Sequence, residues 1–476
     1  MEYNSLLDIF DAKGRTKKMT EQIKKENKMG IMPVNRLLLS MSLPMMLSML
    51  VQALYNVVDS IFVAQLSENA LTAVSLAFPM QNLLISLAVG LGVGVNATLS
   101  RALGQKDLET VNKSAGNGLL LNFLGYLLFL LLGLTVVKPY FLAQTGAGEQ
   151  EILNCGVTYL TICCTLSFGC FMQIMLERLL QSTGKTIYTM ITQGIGAVVN
   201  IILDPILIFG WFGFPRMEVA GAAVATVTGQ MVGAVLSLVF NLKKNHEIHL
   251  HPANFIPDRR IIKQILLVGI PSVLMAATGS VMTFAMNKIL VAFSTTAVAV
   301  FGVYFKLQSF IFMLVFGLNN GMVPIVSYNY GAQKKSRIVK TIRYSIFYAA
   351  AIMLAGLAVF QIMPELLLKL FDASEAMIQI GVPALRIISL CFVFASISVV
   401  LISVFQSLGN GVFSMFISFA RQLVFLLPSA YLLSKIGTVD AVWWAFPIAE
   451  IAALIICILV FRHMYQNVIA PLGDRE

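Results

Sequence analysis

The sequence predicts an all-α integral membrane protein with twelve transmembrane helices, arranged as two six-helix lobes related by a pseudo-twofold axis along the membrane normal. Three observations support this prediction: the composition, the length of the uncharged segments and an internal repeat. Of the 476 residues, 58% are hydrophobic and only 12% are charged. In a soluble domain about a quarter of the residues are charged, so the composition indicates a protein embedded in a bilayer.

The uncharged segments are long enough to cross a bilayer, which takes about 20 residues of α-helix. They are continuously apolar and lack the period-two alternation of a membrane β-barrel, so each is expected to satisfy its backbone hydrogen bonds as a helix. The predicted spans cover residues 36–64, 70–98, 115–137, 153–181, 187–212, 219–241, 262–290, 296–325, 339–363, 379–408, 412–433 and 439–462.

The two halves of the chain repeat at a fixed offset of 227 residues. At this offset Pro44 coincides with Pro271 and Gln81 with Gln308, without a gap. Further coincidences are Ser67 with Ser294, Ala70 with Ala297, Phe78 with Phe305, Gly90 with Gly317, Gly94 with Gly321 and Gly104 with Gly331. An even number of spans per half gives both halves the same orientation, which places a substrate path between two lobes.

The charged stretch of residues 243–263 is the longest internal connection and divides the spans into six and six. The predicted organisation is an N-terminal tail (1–32), a first lobe (33–242), this connection (243–263), a second lobe (264–463) and a C-terminal tail (464–476). Lysine and arginine concentrate in the tails and the even-numbered connections; those of the opposite side are Lys138, Arg216, Lys369 and Lys435. The positive-inside rule then predicts a cell-membrane protein with both termini in the cytoplasm.

This topology explains the formal net charge of +10 without a nucleic-acid partner. None of the four histidines lies within a predicted span, and the six cysteines have no spaced metal-ligand partners. We therefore expect no catalytic residues and no cofactor besides a coupling ion. The expected partners are the lipid bilayer and small molecules, and the expected state is a monomer.

Two carboxyl groups lie within the membrane in the first half, where an ionisable group costs at least about 2.5–3.5 kcal/mol. Asp59 lies toward the outer end of the first span, and Asp204 lies in the fifth. Asn200 precedes Asp204 by one helical turn, and Pro205 removes a backbone donor beside it. These oxygens suit a cation: sodium would need them directly, and a proton would need one carboxyl group. Alternatively, Asp204 braces the bend and Asp59 approaches the outer interface.

The second half carries a different set of ionisable residues. Lys306 lies about 15 Å below the start of the eighth span, near the middle of the hydrocarbon core, while Arg421 and Glu450 lie in the last two spans. We expect an internal network in which Glu450 faces Arg421 or Lys306, with either a structural or a proton-coupling role. Glu177 lies near the end of a span and is expected at an interface.

Some polar side chains are candidates for lining a substrate cavity. They are Gln81, Gln308, Asn319 and Asn320. Hydrogen bonds between helices would explain them as well.

The chain resembles the multidrug and toxic compound extrusion (MATE) family, in its branch of bacterial drug exporters. The resemblance covers nearly all of the chain and is carried by the segments SLPMMLSMLVQALYNVVDSIFVAQL, NIILDPILIFG, GAAVAT, VGIPSVLM and NYGAQKK. It implies multidrug efflux by an antiporter, which exchanges organic and often cationic compounds for sodium ions or protons by alternating access.

Carried over residue by residue, the family's cation site falls on Asp59, Asn200 and Asp204, with Thr226 as a fourth member. The first three would hold sodium if sodium is the coupling ion. Some relatives use acidic residues in the seventh and tenth spans instead, but residues 270–291 and 379–407 contain none. The alternative within the same superfamily is a flippase for lipid-linked precursors, which would favour a basic cavity.

Overall fold

The computed structural model describes residues 26–145, 149–371 and 373–474, which form helices joined mostly by short connections. Ten helical stretches are long and apolar enough to cross a membrane, and two of them, Gly411–Ile436 and Val439–Ile469, each contain more than one of the helices named below. Two bent pairs of shorter helices complete one span each: Gln150–Thr165 meets Phe168–Ser182 at 44°, and Glu375–Ser389 meets Cys391–Ser407 at 46°. Counted in this way, the described ranges contain twelve spans, which confirms the predicted all-α membrane fold.

The basic residues of the predicted N-terminal tail before residue 26, and residues 475 and 476 of the C-terminal tail, lie outside the described residues. The helices of the first half are α1 (Lys28–Ile31), α2 (Val34–Ala64), α3 (Glu68–Gly104), α4 (Leu108–Thr135), α5 (Val137–Leu142), α6 (Gln150–Thr165), α7 (Phe168–Ser182), α8 (Thr186–Phe209) and α9 (Val219–Lys244). Those of the second half are α10 (Arg259–Val291), α11 (Thr295–Gly331), α12 (Lys335–Ile362), α13 (Pro364–Lys369), α14 (Glu375–Ser389), α15 (Cys391–Ser407), α16 (Gly411–Phe419), α17 (Leu427–Ile436), α18 (Val439–Trp443) and α19 (Ala445–Met464). A π-helical segment, Ala420–Leu426, joins α16 to α17.

Three consecutive helices of the first half recur in the second with both ends shifted by the same 227 residues: α3 matches α11, α4 matches α12, and α5 matches α13. Their caps match as well. Ser67 Oγ accepts a hydrogen bond from Ala70 N at 3.0 Å, and Ser294 Oγ accepts one from Ala297 N at 3.0 Å. Such caps satisfy N–H groups that the first turn of a helix leaves free. The sequence repeat is therefore a structural repeat of two lobes.

Glycines bring the two lobes together at the end of the molecule where the terminal segments lie, here called the tail side. The lobes meet mainly through α2 and α3 of the first lobe and α10 and α11 of the second. A methyl group on Gly331 would overlap the carbonyl oxygen of Arg101, and one on Gly104 would overlap that of Tyr328. Small residues allow membrane helices to approach this closely, so α3 and α11 close the tail side.

The same face of α11 is open toward the opposite end, here called the far side. Gly317 and Gly321 pack against the backbone of α2. A methyl group on Gly302, by contrast, would meet nothing within 4 Å, although Gly302 and Gly317 are only about 60° apart around the helix. The lobes therefore separate toward the far side and leave an inter-lobe cleft between them.

The segment of residues 26–33 crosses the tail side and contacts both lobes. Asn27 Nδ2 donates to the carbonyl oxygen of Thr183 in the first lobe at 3.2 Å. Arg337 Nη2 of the second lobe donates to the carbonyl oxygen of Met29 at 3.0 Å, and the Met29 side chain is fully buried. This segment therefore adds to the closure of the tail side.

We expect Gly331→Ala to destabilise the fold, because the added methyl group would overlap the carbonyl oxygen of Arg101. Overpacking of this kind typically costs about 1–3 kcal/mol. Gly302→Ala is the matched control in the same helix, and we expect it to be neutral or stabilising by up to about 1 kcal/mol, since alanine is the better helix former. Thermal unfolding of the purified protein in detergent measures both; equal shifts would contradict the close approach.

Candidate cation site in the first lobe

The candidate site lies where α8 and α9 pack against each other through glycines. A methyl group on Gly196 would lie 2.9 Å from the carbonyl oxygen of Gly229, and one on Gly229 would lie 2.6 Å from that of Gly196. This close approach brings Asn200 of α8 to Thr226 of α9. Asn200 Nδ2 donates a hydrogen bond to Thr226 Oγ1 at 3.3 Å. The two glycines therefore set the distance between two of the predicted ligands.

Asp204 lies one turn after Asn200 on the same face of α8, and its side chain is completely buried. Asn200 Nδ2 lies 3.5 Å from Asp204 Oδ1, at the limit of a hydrogen bond. Pro205 follows within the helix and offers no N–H to the carbonyl oxygen of Ile201. The helix therefore places a carboxylate, an amide and a backbone oxygen without its usual donor in one short stretch.

Asp59 comes from α2, which packs against α8. Its carboxylate lies close enough to Asp204 for the two to interact electrostatically. Several buried oxygens find no donor among the described residues, and three of them belong to this site: Asp59 Oδ1, Asn200 Oδ1 and Asp204 Oδ2. Buried acceptors without partners are rare and costly. A cation or a proton bound among these oxygens would relieve that cost, so the arrangement fits either ligand.

A cavity of about 100 Å³ adjoins Asn200 and Thr226 and extends along α7 to Glu177. Its walls are rich in amide side chains: Gln52, Gln173, Gln193 and Gln230. Amides can both donate and accept hydrogen bonds. The candidate site is thus continuous with a polar interior of the first lobe.

Glu177 is a functional candidate that sequence reasoning missed. The expectation that it lies at an interface is wrong, because only 2% of it is exposed. Its carboxylate accepts three hydrogen bonds: from Gln173 Nε2 at 3.0 Å, Thr192 Oγ1 at 2.9 Å and Gln193 Nε2 at 2.7 Å. Gln173, which precedes Glu177 by one helical turn, was the sequence signal for a hydrogen-bonded carboxylate. The donors from α8 could not be predicted, because they depend on how α8 is rotated against α7.

The predicted cavity-lining residues fall in several places. Asn320 Oδ1 accepts a hydrogen bond across the lobe interface from Arg178 Nη1 at 3.0 Å. Asn319 Nδ2 donates to the carbonyl oxygen of Val399 at 3.2 Å within the second lobe. Gln81 Nε2 lies 3.2 Å from Tyr159 Oη in the first lobe. Gln308 is half-buried. Three of the four thus hold helices together.

The second lobe pairs two of its three predicted ionisable residues. Arg421 Nη1 lies 3.1 Å from Glu450 Oε1, and the two side chains are 20% and 13% exposed. Arg421 lies in the π-helical segment. Lys306 forms no ion pair among the described residues, and its Nζ lies 5.9 Å from the centroid of the Phe371 ring. At the 227-residue offset Met286 takes the place of Asp59, so the second lobe does not reproduce the carboxylate cluster.

The chain is similar in sequence to known membrane transporters. The sequence profile of a family described as MatE matches residues 44–206 and 271–432, two segments that begin 227 residues apart, as the repeat requires. A multidrug export protein, MepA, of Staphylococcus haemolyticus is 25% identical over 410 residues, which cover 86% of this chain and 89% of that protein. An FAD transporter of Shewanella oneidensis is 25% identical over 447 residues, covering 93% and 97%.

Solved structures of MATE transporters have the same fold. A MATE protein in the straight conformation superposes with a TM-score of 0.87 at 25% identity, over 93% of this chain and 99% of that one. The outward-facing conformation of a multidrug resistance MATE family transporter also gives a TM-score of 0.87, at 26% identity, over 93% and 98%.

In Glu177→Ala, Thr192 Oγ1 keeps an acceptor, the carbonyl oxygen of Thr189 at 2.9 Å. The variant should still destabilise the first lobe, because the half-buried amide groups of Gln173 and Gln193 lose their acceptor. Each such group costs about 1–3 kcal/mol. Glu177→Gln keeps the shape and one acceptor oxygen and should lose less. Thermal unfolding in detergent compares the stability of the two variants. If Glu177→Ala lowers the unfolding temperature no more than Glu177→Gln does, these hydrogen bonds do not stabilise the lobe.

A double-mutant cycle tests the Arg421–Glu450 pair. Removing one partner leaves an uncompensated charge, which costs about 3–5 kcal/mol in a fully buried pair and less in a partly buried one such as this. We therefore expect Arg421→Met and Glu450→Leu each to be less stable than the double variant, in which no charge remains. If the effects of the two single substitutions simply add in the double variant, the two side chains are not coupled.

Proposed function

The chain belongs to the MATE family of membrane transporters, and from this premise we propose that it is a multidrug exporter. It carries structurally varied organic compounds, many of them cationic, out of the cell in exchange for sodium ions or protons. The name of the MepA relatives, multidrug export protein, supports the substrate class. The alternative of a flippase for lipid-linked precursors has no comparable support among these relatives.

The observation that carries the proposal is the group of buried oxygens from Asp59, Asn200 and Asp204 that find no donor among the described residues. Two carboxylates in one apolar lobe repel each other unless a cation or a proton neutralises at least one of them. Thr226 completes the site through its contact with Asn200. We expect no cofactor besides the coupling ion, and a monomer suffices because all four residues belong to one lobe.

Exchange requires that the ion and the drug favour different conformations, since only a difference in affinity shifts an equilibrium. The closed tail side and the open far side define one of the two conformations. With both termini in the cytoplasm, as the distribution of lysine and arginine predicts, this conformation opens outward. Ion binding at Asp59 and Asp204 then favours the conformation in which the drug leaves.

Transport by reconstituted protein tests the proposal. Liposomes containing the intact chain should release a fluorescent organic cation under an imposed sodium or proton gradient, and the effective gradient identifies the ion. Asp204→Asn should lower this transport by about tenfold or more, within the range of typical coupling energies. Glu365→Gln, which changes a surface carboxylate 58% exposed, is the matched control and should transport normally.

Two results would count against the proposal. Transport by Asp204→Asn equal to that of the unchanged protein would exclude the site in the first lobe. No transport of any tested cation under either gradient, with correctly folded protein, would exclude the exporter function.

A further inference from the structure

We infer that Lys306 is a substrate-contacting residue of the inter-lobe cleft, where it binds the carboxylate of zwitterionic or anionic compounds. The inference rests on the proposed export function and extends it. The cleft would then select acidic groups through the second lobe, while the coupling ion binds in the first.

The helical periodicity of α11 places Lys306 on the face of this helix that is directed toward the first lobe. Gly317 and Gly331 on this helix pack against α2 and α3. Lys306 precedes Gly317 by 11 residues, which is three turns and only about 20° of rotation. It therefore continues the same face toward the far side, where the lobes have separated.

The surroundings of Lys306 agree with this placement. A methyl group added to Gly302, one turn further toward the far side, would meet nothing within 4 Å, and Lys306 itself is exposed. Phe301 and Tyr304 lie on the opposite side of α11 and are buried in the second lobe. Lys306 thus lies on the side of α11 opposite to the face buried in its own lobe, and its side chain borders the cleft. A lysine facing hydrocarbon at this depth would be costly, whereas a cleft allows it to remain hydrated.

The ammonium group of Lys306 is available to a ligand. Among the described residues, which do not include Asp372, no carboxylate oxygen lies within 4.0 Å of its Nζ. The ammonium group contacts the ring of Phe371 at 5.9 Å, near the outer limit of a cation–π interaction. Arg421, which the sequence also places within the membrane, is already paired with Glu450. The hydrogen-bond donors of Lys306 are therefore free to bind a substrate.

A single positive charge in the wall of the cleft distinguishes between substrates in two ways. It attracts a carboxylate and repels a cation, and the repulsion contributes to specificity as much as the attraction does. Zwitterions would be bound with their acidic end toward α11. Permanent cations without an acidic group would gain nothing from Lys306.

A pair of dyes that differ only in the acidic group tests the inference. Rhodamine B is a fluorescent zwitterion with one free carboxylate, and its ethyl ester keeps the cationic ring system without that group. Transport of both is measured in proteoliposomes for the unchanged protein, Lys306→Gln and Lys306→Arg. Lys435→Gln is the matched control, because Lys435 also contacts an aromatic ring, that of Tyr431 at 5.2 Å, but lies on α17.

We expect Lys306→Gln to raise KM for rhodamine B about two- to fivefold, as loss of a partly hydrated charged contact predicts. KM for the ester should stay the same or fall, because a repulsive charge has been removed. Lys306→Arg should restore the preference for rhodamine B, and Lys435→Gln should not change it. Fluorescence anisotropy of the dyes with purified protein should give the same ratio of affinities without requiring transport.

The remaining outcomes overturn the inference. If Lys306→Gln weakens both dyes equally, the residue has a structural role; if it changes neither, the acidic group is bound elsewhere. In both cases the ester is still transported and the export function stands. If neither dye nor any other organic cation is transported by the unchanged protein, the export function fails and the inference fails with it.

Discussion

Close approach of helix backbones through glycines is the constraint on which this architecture depends. Between helices in lipid there is little hydrophobic driving force, so contact surfaces must gain their stability from packing and from hydrogen bonds. The pair Gly196 and Gly229 sets the distance between α8 and α9. The pair Gly104 and Gly331 holds α3 against α11. Close glycine packing thus forms the candidate cation site and also closes the tail side.

The candidate cation site and the closed tail side are connected through α7. Glu177 on this helix faces the cavity that adjoins Asn200, and the next residue, Arg178, donates a hydrogen bond to Asn320 of the second lobe. A helix moves as a stiff unit, so a rotation of α7 that changed the hydrogen bonds of Glu177 would also move Arg178. The wall of the cavity and the contact between the lobes therefore share one rigid element, and rigid elements are among the structures that carry coupling between distant sites.

The sequence was sufficient to predict the helical spans, the repeat and the proximity of Asn200 to Asp204, because each depends on local composition or on spacing along one helix. It was not sufficient for Glu177 or Lys306, since their partners depend on how each helix is rotated against its neighbours. Helices that are apolar all round carry no periodic signal for that rotation. The break near Leu166 was missed for a related reason: the stretch is continuously apolar, and hydropathy does not register a bend.

The two lobes share the backbone repeat but differ in their charged side chains. Where the first lobe has Asp59, the second has Met286, and where the second has Lys306, the first has Pro79. Equal helix lengths keep two similar rigid bodies that can tilt against each other. The charged side chains of the two bodies differ. On the proposed assignment the coupling cation and the acidic end of a substrate bind to different lobes, so they need not displace one another directly. They influence each other through the relative position of the lobes, and the strength of that influence is the difference in affinity between the two conformations.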